Sequence, residues 1–356
     1  MINSNFTQCL LQWHVKKNKR TMPWKGEKDP YKIWVSEIIL QQTRVEQGLS
    51  YYNNFISRFP TVKSLALAPE EAVFKLWEGL GYYSRCRNLI ATAKFINSSL
   101  DNRFPTSYGE IRSLKGIGPY TAAAISSFAY GLPHAVVDGN VARVLARYFG
   151  KAVAIDTTQG RKFFTDLAHQ LLDKSDTAEY NQAIMDFGAT VCKPQLPLCE
   201  ECPFRKDCIA YNTGIVSELP VKEKKLTKRK RWFYYFVFQA GNEILVRKRT
   251  AGDIWQDLHE FHLVEADRRV SGAEKSIKKL LHEHIGIIDY DLIYTSAVYT
   301  QQLTHQSLEG RFIRVELEKF PEHLKGYTRT RMEDLKIKAF PKFINSYIND
   351  HLLPIT

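Results

Sequence analysis

Four cysteines fall within seventeen residues, Cys192, Cys199, Cys202 and Cys208, in the spacing C-x6-C-x2-C-x5-C. So short a stretch cannot carry its thiols far apart, so the four converge on one centre and the neighbouring chain must fold around it. The remaining two, Cys9 and Cys86, lie far away. The first residues, MINSNFTQCLLQWHVKK, lack the charged-then-apolar order of a secretory signal and read as an amphipathic helix with Phe6, Cys9, Leu10 and Trp13 on one face. A cytosolic, reducing setting favours a metal site over disulfides. Zinc also accepts four cysteines, usually as two C-x2-C pairs set apart. One short pair between two singles with unequal gaps suits the corners of a single 4Fe-4S cluster better. A structural role is enough for it: it closes a loop that carries Lys193, Arg205 and Lys206 toward a ligand.

The chain around this knot divides in two. Residues 1–214 read as all-α, with helical apolar spacing recurring around 6–16, 31–47, 53–59, 70–78, 86–99, 120–130, 141–149, 160–173 and 179–191. Residues 215–231 read as a linker; from Val221 to Arg231 seven basic residues face one acidic one, half of the chain's formal excess of +12. Such a run fits a polyanion, lying along phosphates, although a solvated linker has the same composition. Residues 232–356 read as α+β, with strands at 232–240, 243–249 and 313–320 and a helix from Ala273 to His284. No apolar run approaches the roughly 20 residues that span a bilayer.

Between two of the first-half helices stands LKGIGPYT (114–121). Gly116 and Gly118 permit left-handed turn geometry, and Pro119 suits the first turn of the next helix. The amides of such a turn face outward from a helix N-terminus and suit a DNA phosphate. This is a helix-hairpin-helix pattern. About twenty residues on, VVDGNV (136–141) places Asp138 at the end of an apolar run, where its plainest role is a helix N-cap.

Hairpin, acid and cysteine cluster in this order resemble the endonuclease III superfamily of helix-hairpin-helix DNA glycosylases. Within it, WVSEIILQQT (34–43), GLGYYSR (79–85), VDGN (137–140) and NQAIMDFG (181–188) resemble the adenine DNA glycosylases, the MutY family. The resemblance implies an all-α glycosylase domain over 1–214 whose cluster subdomain is formed by 1–27 and 136–214. It implies a monomer that acts in the cytoplasm, on the nucleoid, upon double-stranded DNA containing A opposite 8-oxoguanine or A opposite G.

Breaking an N-glycosidic bond needs one carboxyl that holds a proton for the leaving base and another that stays ionised near the cationic sugar. Glu37, with apolar neighbours on both sides, suits the first role. Asp138 suits the second, as electrostatic stabiliser or transient covalent partner. The resemblance assigns Glu37 the adenine ring nitrogen and sets Asn140 and Tyr120 beside Asp138. Bifunctional relatives carry a lysine where Tyr120 stands, so this chain is expected to leave an abasic site without cutting the strand. The resemblance further gives Gln42 and Tyr82 the gap left by the flipped base, Thr43 and Leu80 the opposite base, and Trp24, Lys25 and Gln182 the adenine pocket.

Residues 232–356 resemble the Nudix-like domain with which the family senses 8-oxoguanine, through RKRTAGDIW (247–255) and a helix ending at Gly286. A working Nudix helix reads R-E-x-x-E-E-x-G; here KLLHEHIG puts Leu280 and His284 in place of two acids, so pyrophosphohydrolase activity is not expected. The family's Phe-Ser-His lesion loop corresponds to Leu303, Thr304 and His305. Two rivals remain on sequence: a thymine mismatch glycosylase of the same superfamily, and a non-catalytic DNA-binding protein. The second domain and Glu37 argue against the first, and retention of Glu37 with Asp138 against the second.

Overall fold

A computed structural model of the chain describes residues 2–223, 227–250, 252–285, 290–320, 322 and 324–353. Residues 224–226 of the basic run, Ala251, Gly286 and the side chain of His284 lie outside that description. The chain separates into two compact units, one of residues 1–68 and 87–224, the other of residues 69–86 and 225–356. Residues 69–86, which helical spacing placed in the first half, thus cluster with the second.

The first unit is helical. Its elements are α1 (Ile2–Lys17), α2 (Pro30–Leu40), α3 (Val45–Arg58) and α4 (Val62–Ala66). Then α5 (Glu70–Trp77) falls in the second unit, and α6 (Ser84–Ser99), α7 (Tyr108–Ser113), α8 (Pro119–Tyr130), α9 (Gly139–Tyr148), α10 (Thr158–Leu171), α11 (Thr177–Thr190) and α12 (Ile209–Asn212) follow. The spacing at 31–47 predicted one helix; the structure breaks it between α2 and α3, where Gln42 turns to a left-handed φ of 55°. Phe6, Leu10 and Trp13 of α1 pack into a core with Val144 and Leu145 of α9, Phe164 of α10 and Phe187 of α11, the face predicted from their spacing.

Between α7 and α8 the hairpin closes with the Ile117 amide donating to the Leu114 carbonyl. Only Gly116 uses left-handed geometry, with φ 80°; Gly118 is extended and caps α8, with Pro119 in its first turn. Among the described residues no helix is long and apolar enough to cross a membrane.

The second unit is built on a mixed sheet. Its strands are β1 (Arg229–Ala240), β2 (Glu243–Lys248), β3 (His259–Glu260), β4 (His262–Ala266), β5 (Asp291–Thr295), β6 (Tyr299–Gln302), β7 (Gln306–Glu316) and β8 (Thr328–Arg331). Helix α13 (Glu274–Ile285) follows β4, and α14 (Lys342–Tyr347) follows a 3-10 turn, Met332–Ile337. β1 lies parallel to β7 and antiparallel to β2 and β4. A central strand covered on both faces needs apolar residues at nearly every position, and WFYYFVF supplies them. Alternation sends Tyr234, Phe236 and Phe238 against Ile277, Leu280 and Leu281 of α13. It sends Tyr235 the other way, onto Phe312 and Phe343. Leu280 is therefore core. β7 begins seven residues before the strand predicted at 313, because its polar start pairs with Arg229–Trp232 of β1.

The basic run is only partly linker. Arg229 to Arg231 belong to β1, and the Arg231 guanidinium is buried, bonded to Asp253 at 2.7 Å and Glu265 at 2.5 Å. Its charge is met inside the unit, so it does not lie along phosphates as the composition suggested. Arg205, assigned to a ligand-facing loop, pairs with Glu200 at 2.7 Å.

Candidate active site

A cleft of about 680 Å³ opens in the first unit. It gathers residues from the 18–29 arm, α2, the α2–α3 turn, α8, α9 and α11. Nine of the residues singled out from sequence line it: Trp24, Lys25, Glu37, Gln42, Thr43, Tyr120, Asp138, Asn140 and Gln182.

Glu37 sits near the C-terminal end of α2, 6% exposed, because that helix buries nearly every side chain from Tyr31 to Ile39. Burial pushes its carboxyl up to about 7; a hydrogen bond from the Tyr120 hydroxyl opposes the rise and the nearby Asp138 charge adds to it. Burial likewise holds the Tyr120 hydroxyl well above its ordinary range, helped by both carboxyls.

Asp138 caps α9. Its Oδ1 accepts from the amides of Asn140 and Val141, both at 2.8 Å, and its Oδ2 from Asn140 Nδ2 at 2.6 Å. Burial raises this carboxyl too, but those hydrogen bonds and the Arg143 charge pull against it. The capping atoms are the ones a chemical role would use, so the plain reading of Asp138 and the chemical one are compatible. The two carboxyls differ in what surrounds them: Glu37 has one donor, Asp138 three at the helix's positive end.

Arg143 and Arg147 were not singled out from sequence. Arg143 donates to Asn140 Oδ1 at 2.9 Å, to the Gly188 carbonyl at 2.8 Å and, through Nε, to the Cys192 carbonyl at 2.8 Å. Arg147, one turn on, donates to the carbonyls of Lys193 and Leu219 at 2.7 and 2.9 Å, and its Nη1 lies 3.5 Å from Cys192 Sγ. Their signal was an i, i+4 pair of arginines on the apolar face after Asp138, which reads on its own as surface charge.

Cys192, Cys199, Cys202 and Cys208 line one small cavity with Arg147. Among the described residues no three His, Cys, Asp or Glu side chains are grouped to hold a single metal ion.

Lys25 lines the cleft with its ammonium already engaged, 3.2 Å from both Asp186 Oδ2 and the Arg20 carbonyl. Gly116 and Gly118 lie in the hairpin, outside the cleft lining. Leu80, Tyr82, Thr304 and His305 belong to the second unit. There Leu80 is 6% exposed and Tyr82 38%, with Tyr82 at a left-handed φ of 48° on a turn between Gly79 and Tyr83. The Tyr82 hydroxyl hydrogen-bonds that of Thr304. Thr304 and His305 are exposed at the tip between β6 and β7, where the Leu303 amide closes the turn onto the Gln306 carbonyl.

Residues 35–166 match the HhH-GPD superfamily of base excision DNA repair proteins. The stretch includes Glu37, Tyr120 and Asp138. A thermostable thymine-DNA glycosylase superposes with a TM-score of 0.55 at 28% identity, covering 59% of this chain and 97% of that one. An endonuclease III bound to DNA superposes with a TM-score of 0.52 at 18% identity, covering 60% of this chain and 98% of that one. The fold is that of a helix-hairpin-helix base excision repair protein.

An adenine DNA glycosylase of Buchnera aphidicola subsp. Baizongia pistaciae is 38% identical over 259 residues, 72% of this chain and 73% of that protein. The adenine DNA glycosylase of Homo sapiens is 41% identical over 214 residues, 58% of this chain and 39% of its own length. This chain belongs to the adenine DNA glycosylases.

Proposed function

We propose that this protein hydrolyses the N-glycosidic bond of adenine mispaired with 8-oxoguanine or guanine in double-stranded DNA, acting as a monomer on the nucleoid and leaving an abasic site. The observation that carries the reading is the pair of unlike carboxyls in one cleft, Glu37 raised to about 7 beside the helix-capping Asp138. Near neutrality Glu37 holds a proton in a good fraction of molecules and yields it to the departing purine. The Tyr120 hydroxyl orients that carboxyl through its hydrogen bond. Asp138, fixed by the amides of α9, faces the positive charge that grows on the sugar. Tyr120 has no amine with which to form a Schiff base, so the strand stays intact.

Cys192, Cys199, Cys202 and Cys208 would hold a 4Fe-4S cluster. The donor set fits: four thiols line one cavity, with the Arg147 cation against Cys192 to offset thiolate charge. When bound, the group supplies structural closure of the loop between Cys192 and Cys208. The second unit is read as the Nudix-like 8-oxoguanine sensor, with Thr304 and His305 on its lesion-facing edge; the hydrogen bond between Thr304 and Tyr82, read as filling the gap left by the flipped base, supports joint action of the two.

The test is a single-turnover assay on duplexes holding adenine opposite 8-oxoguanine, G, C or T, plus one with a T·G pair, each read with and without hot alkali. Cleavage only after alkali, and only with adenine opposite 8-oxoguanine or G, is the expected result. Thymine release from T·G would overturn it, and strand cleavage without alkali would sink the monofunctional assignment.

A further inference from the structure

We propose that Asp186 is a positioning residue for base selection, clamping the two walls of the base pocket together; this rests on the adenine-excision reading above. Asp186 lies on α11 one turn beyond Gln182, and its neighbour Met185 also lines the cleft. Its side chain is fully buried, and no step of the chemistry uses it. Its Oδ1 accepts from Arg20 Nη1 at 2.9 Å; its Oδ2 accepts from Asn18 Nδ2 at 2.8 Å and Lys25 Nζ at 3.2 Å. All three partners come from the arm between α1 and α2, which has no helix or strand of its own.

That arm carries Trp24 and Lys25, one wall of the cleft, while α11 carries Gln182 and Glu179, another. Trp24 is fixed from a different side, edge-on to Tyr52 at 5.1 Å. The polar edge of the arm has Asp186 as its anchor, supported by His14, which bridges Asn18 at 3.0 Å and Glu179 at 2.9 Å. A buried carboxylate with three donors sets their positions, Asn18 and Arg20 through short bonds of 2.8 and 2.9 Å and Lys25 through a longer one of 3.2 Å. The consequence is that Lys25 reaches the pocket as a tethered cation. The distance between the walls, and so the polar fit to a base's exocyclic group, is set by a residue outside the pocket lining.

The measurement compares single-turnover release of adenine with release of unsubstituted purine from otherwise identical duplexes, for the parent, Asp186→Asn and Asp186→Glu. Asparagine keeps the shape and removes both ion pairs. We expect its adenine-to-purine rate ratio to fall about tenfold, the worth of one well-made hydrogen bond. Asp186→Glu should recover part of the ratio, because the carboxylate is restored. A merely structural role would depress both rates together and leave the ratio unchanged, and that result overturns the proposal, as does an unaltered enzyme in the Asn variant. Should Asp186→Asn fail to fold, Arg20→Gln removes one tether alone; the ratio should drop in the same direction, and an unchanged ratio again overturns the clamp. Failure of the parent enzyme to release adenine at all would strike the underlying reading and take this proposal with it.

Discussion

Glu37 is costly to keep charged where it stands. With an ordinary value of 4.5 and a folded value of about 7, it binds a proton more tightly in the folded state. Its contribution to stability is therefore fully present below about 4.5 and is lost as pH rises through about 7. Glu37→Gln removes that dependence. The variant should lose adenine excision by at least ~100-fold, the usual yield of a placed general acid, while keeping duplex binding. Its melting midpoint should exceed the parent's above pH 7, with a margin that closes between pH 7 and 4.5. Parent excision should fall as pH rises past about 7, a limb the variant lacks; an alkaline limb retained in Glu37→Gln would assign that titration to another group. Glu37's environment was readable from the apolar residues on both sides of it in WVSEIILQQT. The partners Arg143 and Asp186 were not, because a buried ion or charge-bonded hub looks, in one dimension, like any surface residue on an amphipathic helix. The left-handed φ of Gln42 and Tyr82 was equally hidden: neither is glycine, and only an observed backbone reveals that strain.

Helix and turn chemistry separate the two hairpin glycines. A Cβ on Gly116 would lie 2.5 Å from Asn88 Cβ and would also be forced into left-handed backbone. A Cβ on Gly118 would meet nothing within 4 Å. Gly116→Ala should destabilise the first unit by about 1–3 kcal/mol in thermal or urea unfolding. Gly118→Ala should melt like the parent but bind duplex DNA more weakly if the hairpin amides receive a phosphate; equal DNA binding would count against that use of the turn. The sequence marked both glycines alike because L-x-G-x-G says nothing of which one turns. Strand β1 was legible from its unbroken apolar run. Its first residues were not: Arg231 looked like linker charge because its partners Asp253 and Glu265 lie 22 and 34 residues away.

At the scale of the whole chain, the cysteine knot, the all-α first part and the α+β second part could all be read from periodicity and spacing. The path of the chain between them could not. Residues 69–86 have helical patterning, and nothing in that pattern says whose core they serve. In the structure Glu78 accepts from the Phe340 amide at 2.7 Å and pairs with Lys75 at 2.8 Å, and Lys75 donates to the Lys338 carbonyl at 3.0 Å. Glu78→Ala should lower the stability of the second unit by about 1–3 kcal/mol, the range for a buried donor left without its acceptor. Hydrogen exchange at the Phe340 amide should quicken with it, and exchange within α9 should not change. An unaltered Phe340 amide would show that the contact holds little.

That detour has a consequence for how the protein comes into being. Residues 69–86 leave the ribosome 138 residues ahead of the segment, 225 onward, that completes their unit. At ~5–20 residues per second the wait is on the order of ten seconds. Throughout it the stretch lacks the residues with which it clusters. The nascent chain must therefore shelter this stretch, or be sheltered by a chaperone, until its last third is made.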